Sequence, residues 1–81
     1  MEEELKQLYQ SLCEARLERI RLAVALDRAQ RENPSSIIRP KVHQIRHQLV
    51  DIETRIQLLE SQIAAKEHQL LYDLLRGGGN A

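Results

Sequence analysis

Residues 42–63 read VHQIRHQLVDIETRIQLLESQI. In this stretch Val42, Ile45, Leu49, Ile52, Ile56, Leu59 and Ile63 recur at alternating spacings of three and four. Side chains so spaced line one narrow stripe of an α-helix, the a and d positions of a heptad repeat. Every member is a branched aliphatic, and no polar residue interrupts the row. Such a stripe cannot face water, so the chain must supply a second helix against it or borrow one.

A matching helix lies upstream. Glu2, Glu3 and Glu4 put three carboxylates where a first turn would begin, complementing the positive end of a helix dipole. Leu5, Leu8, Leu12, Ala15, Leu22, Leu26 and Ala29 follow with heptad spacing, broken at Arg19. Arg19 is read as laying its aliphatic stem along the stripe while its guanidinium reaches water or a carboxylate. The alternative, a buried charge that sets register between subunits, costs stability.

Between the two helical runs stands Asn33-Pro34-Ser35-Ser36-Ile37-Ile38-Arg39-Pro40. Each proline disfavours helix in the residue before it, and Asn and Ser are turn formers. The sequence therefore predicts one domain: a helix over about 3–32, a turn at 33–39, a helix over about 40–76 and a flexible tail at 77–81. Pro40 suits the first turn of the second helix, Ile37 and Ile38 plug the closed end, and Gly77-Gly78-Gly79 stops the helix. The fold class is all-α: an antiparallel two-helix hairpin, or α-helical coiled coil. Its seam is Leu5, Leu8, Leu12, Leu22 and Leu26 against Val42, Ile45, Leu49, Ile52, Ile56, Leu59 and Ile63.

One seam does not use all the apolar residues. Cys13, Leu17, Ile20 and Val24 form a second strip on the first helix, more than a quarter turn from the seam. Near the end of the second helix the heptad phase is read as slipping, with seam places on Lys66 and Asp73 and leucines at 70, 71, 74 and 75. Leu17, Ile20, Val24, Leu70, Leu71, Leu74 and Leu75 are thus expected at a partner or oligomer interface. Assembly into a four-helix bundle or a heteromeric complex would cover them.

Composition agrees with long helices. The 81 residues contain no Phe or Trp and two Tyr, and twelve basic side chains balance twelve acidic ones. Zero net charge gives no general attraction to nucleic acid or anionic membrane. One cysteine excludes an internal disulfide framework, and no apolar run approaches the ~18 residues of a membrane span. The acidic opening residues are unlike a signal peptide, so a cytoplasmic or otherwise intracellular location is expected.

The chemical motifs are sparse. His43 and His47 stand at i and i+4, a metal-clamping spacing, but no Cys, Asp or Glu completes a site on their face. They are read as solvated, and no metal or other cofactor is expected. Cys13 is read as a small packed thiol. Arg28, Arg31, Arg39, Lys41 and Arg46 collect at the closed end, where they would suit nucleic-acid phosphates or an acidic partner. No aromatic residue accompanies them for base stacking. Leu75-Arg76-Gly77-Gly78 looks like the tail of ubiquitin, although nothing upstream resembles that fold.

Leu71-Tyr72-Asp73-Leu74-Leu75 resembles the Leu-x-x-Leu-Leu boxes that dock into nuclear-receptor grooves, which implies helix-in-groove binding. The plan of a short helix, a Pro-containing turn and a longer heptad helix resembles the small hairpin co-chaperones of type III secretion needles. That likeness lies in architecture and implies an adaptor. With no catalytic constellation or cleft, the expected function is non-enzymatic protein–protein interaction, by dimerisation or partner-helix packing. Adaptor, assembly factor, co-chaperone and structural subunit all fit. The alternatives are a nucleic-acid-binding hairpin using the basic tip, or a coiled-coil segment of a larger protein. A protein partner or a second copy is expected, and no small-molecule substrate.

Overall fold

The computed structural model describes residues 2–32 and 39–79, and these form two helices that pack on each other: α1, Glu2–Glu32, and α2, Arg39–Gly79. Among the described residues there is no strand. The turn, with its expected plug of Ile37 and Ile38, and the last two residues of the tail lie outside the described residues.

Both helices begin as their sequences dictate. α1 opens on its three glutamates, and α2 carries Pro40 in its first turn, where a missing N–H costs nothing. The far end of α2 differs from the expected glycine stop after Arg76. The helix runs on to Gly79, and no glycine adopts positive φ. A glycine stop works by turning the chain into the left-handed region. Helical φ remains open to glycine at a cost of only about 1 kcal/mol per residue relative to alanine.

The pairs that bridge the helices fix their register. Glu4 meets Lys66, Tyr9 meets Glu67 and Arg16 meets Glu60. From the first two pairs to the third, residue numbers rise on α1 and fall on α2, so the helices run antiparallel. Continued along the axis, this register sets Leu22 beside Ile52, and both line one groove. At the other end it brings the start of α1 level with about Leu71. The remaining two turns of α2 overhang by about 12 Å, at 1.5 Å per residue.

The core is the expected seam with small residues added on the α1 side. Leu12, Ala15, Ile56, Leu59 and Ile63 form one buried cluster, and Leu5, Leu8 and Ile52 pack against it. Ile56 is 3% exposed and Ala15 4%. Ala29 and Ile45 are buried nearer the closed end. Arg19 is exposed, and no polar or charged side chain is buried among the described residues. That disposes of a charge buried within the hairpin seam.

The particle is a rod, 68 × 14 × 14 Å across its Cα atoms. Its radius of gyration is 19.2 Å, where a compact domain of this length would have about 12 Å. Its surface, 6621 Å², exceeds the roughly 5,000 Å² of a compact monomer of this mass. Two helices share only one face, and the surplus is the rest of their circumference.

If the seam carries the stability, Ile56→Ala should cost about 2–4 kcal/mol through lost burial and a residual cavity. Leu58→Ala, two residues on but 58% exposed, should stay within about 0.5 kcal/mol. Urea unfolding followed by far-UV circular dichroism, at one fixed protein concentration, compares the two.

Candidate interaction surfaces

Four surface features remain once the seam is closed. The first is the strip on the back of α1. Cys13, Leu17, Ile20 and Val24 are all exposed, the last three by about half. At 100° per residue the strip lies about 145° around α1 from the seam. No side chain of α2 can reach it.

The second is the overhang. Leu71 and Tyr72 are more than half exposed, Leu74 is 72% exposed and Leu75 70%. Leu70 behaves differently: it is half-buried and belongs to the hairpin's own interface. The signal was present in the sequence, because Leu70 lies seven residues past Ile63. The heptad therefore continues through Ile63, Lys66 and Leu70. Lys66 is tolerated there because its ammonium reaches outward to Glu4. Of the residues expected at a partner interface, Leu17, Ile20, Val24, Leu71, Leu74 and Leu75 are exposed, and Leu70 is half-buried.

The third is a shallow groove between the helices near the open end. Leu8, Ser11 and Ala65 lie along it, and Glu4 and Lys66 stand together at its edge. Its one acid and one base neutralise each other. The Lys66 ammonium donates to Glu4, and this bond with the attached charge holds the Glu4 carboxyl below its ordinary 4.5. On the opposite side Tyr9 donates its hydroxyl to Glu67, which raises the phenol above its ordinary 10.0. The Arg16–Glu60 pair, at 3.3 Å, spans the helices further along. Both members are about half exposed, so their contribution is screened and small.

The fourth is the basic tip. Arg28, Arg31, Lys41 and Arg46 are exposed and gathered at the closed end. Arg39 begins α2. Arg31 is tied back to Asp27 at 3.2 Å. Within 27–46 the chain carries five basic side chains and two acidic ones. At the open end, 2–10 with 60–76, there are six acidic and three basic. The intervening segments balance at four each, so zero net charge conceals two opposite poles.

His43 and His47 lie edge to face, ring centres 4.7 Å apart. Among the described residues no group of three or more His, Cys, Asp or Glu is placed to hold a metal ion. No helix there is long and apolar enough to cross a membrane.

Comparison with known proteins finds no match to any family model, curated protein or solved structure. Function must therefore be argued from these surfaces.

Two of the bridging pairs have opposite pH signatures. Stability from Glu4–Lys66 is present above the ordinary carboxyl pKa and is lost as pH falls through the lowered one. Stability from Tyr9–Glu67 is present below the free phenol's pKa and is lost as pH rises through the raised one. In a Tyr72→Phe background, where Tyr9 alone reports, ultraviolet titration should place the phenol midpoint above 10.0. Adding Glu67→Ala should bring it back down. A midpoint indifferent to Glu67 would remove this bridge from the fold.

Proposed function

We propose that this chain works by association, as a non-enzymatic helical-hairpin module in which outer apolar side chains are covered by partner helices or a second copy. An adaptor, assembly factor, co-chaperone or structural subunit would act in this way, and a four-helix arrangement is the natural form of the covered state. The observation that carries the reading is the overhang. Leu71, Tyr72, Leu74 and Leu75 stand 55–72% exposed on helix that runs past the start of α1. Large apolar side chains held together on a regular helix beyond the reach of α1 suit insertion into an apolar groove.

A second reading is supported by the first turn of α2. It contains no acidic residue and begins Arg39-Pro40-Lys41, so its charge opposes the helix dipole. Positive charge placed there against local stability fits an external anionic contact, whether nucleic acid or the acidic surface of a partner.

Native mass of the chain, alone and recovered from cell extract, tests the first reading. A mass above one chain is expected in at least one of the two, and a lone monomer in both would refute it. Leu71→Asp with Leu74→Asp should keep the helical dichroism and lose the partner. Unfolding instead would make these leucines core. If nucleic-acid binding with a steep salt dependence appears and vanishes on Arg28, Arg31, Lys41 and Arg46→Glu, the second reading takes precedence.

A further inference from the structure

We infer that the strip on the back of α1 is covered by the same strip of a second copy, with the two α1 helices antiparallel. The inference rests on the association reading and adds to it a contact between copies on a surface separate from the overhang. The strip is a heptad in its own right: Lys6, Gln10, Cys13, Leu17, Ile20, Val24, Asp27 and Arg31 follow one another at spacings of four and three. The four central members are apolar and exposed. The outer members are polar, which limits the contact to the middle of the helix. A self-complementary patch with a two-fold axis between Glu18 and Arg19 sets Leu17 against Ile20 of the partner subunit and Cys13 against Val24 of the partner subunit.

Charge chooses the direction. In an antiparallel pair, flanking positions of the same heptad type face each other. Glu14 then lies beside Arg21 of the partner subunit, and symmetry repeats the attraction. Among the described residues Arg21 reaches only Glu18, at 3.6 Å with its side chain 77% exposed, so the guanidinium can turn outward. A parallel pair would instead bring Arg16 beside Arg21 of the partner subunit, two repulsions by symmetry. The poles agree. About that axis, the basic closed end of one copy lies alongside the acidic start of α1 in the other. Parallel packing would stack like poles.

Two single-cysteine chains test direction and register together: the natural chain, with Cys13, and a Cys13→Ser, Val24→Cys variant. Mild oxidation should link the two chains when mixed and neither when alone. The antiparallel register separates identical positions by about 16 Å along the axis, beyond the reach of a disulfide. Linkage of Cys13 to itself would overturn the inference in favour of parallel packing.

Sedimentation across a concentration series should show a dimer, reduced to monomer by Leu17→Asp with Ile20→Asp while helical dichroism persists. Glu14→Arg alone should weaken the dimer by about tenfold or more. The swap Glu14→Arg with Arg21→Glu should restore it. Association untouched by the strip substitutions but abolished by Leu71→Asp with Leu74→Asp would overturn the inference and leave the association reading standing. A monomer with no partner under any condition would remove both.

Discussion

The packing of branched side chains of α2 onto leucines and alanines of α1 is the contact from which the other features follow. Ile56 and Ala15 share one buried cluster, and Ile45 and Ala29 are buried further along. Where α1 is small, α2 is large, which lets the helices approach while keeping the gap filled. From Val42 to Ile63 the α2 side of the seam is branched aliphatic throughout, so packing selects the face, and the six residues that join the helices limit how far one can slide along the other. Once the register is fixed, Lys66 reaches Glu4 and Tyr9 reaches Glu67. The same register brings all five bases of 27–46 to one end and carries the last two turns of α2 past the start of α1.

The sequence carried most of this arrangement because heptad spacing is a local signal. Each of the twelve residues expected in the seam is buried or half-buried. At Leu70 a dense leucine run mimics a change of phase, whereas counting seven from Ile63 keeps it on the seam. The glycine run is an ambiguous signal, because helical φ stays accessible to glycine and α2 continues through it to Gly79. Cross-helix bonds such as Tyr9–Glu67 were not legible at all. They depend on which residues stand level across the hairpin, and neither helix encodes that by itself.

Net charge proved a poor summary of the molecule's electrostatics. Twelve acids against twelve bases suggest indifference to charged partners. Their separation along a rod 68 Å long gives a dipolar particle instead. Screening at physiological salt confines such poles to neighbours within about 8 Å. They therefore act little on distant molecules and strongly on a rod lying alongside. A net-neutral particle of this kind discriminates between orientations of a close partner more than between charged and uncharged partners.

The two unpartnered apolar surfaces also differ in what they can do together. The α1 strip lies about 145° from the seam and midway along the rod, whereas the overhang lies past its end. Covering one does not obstruct the other. In the inferred antiparallel pair, the strips meet at the centre and the two overhangs project from opposite ends. Each overhang keeps Leu71, Tyr72, Leu74 and Leu75 free. Such a pair is bivalent, so it would link two grooves or bind one repetitive partner with an avidity that neither hairpin has alone. Dimerisation and partner binding would then be successive uses of one constraint: two helices can bury only the faces they turn toward each other.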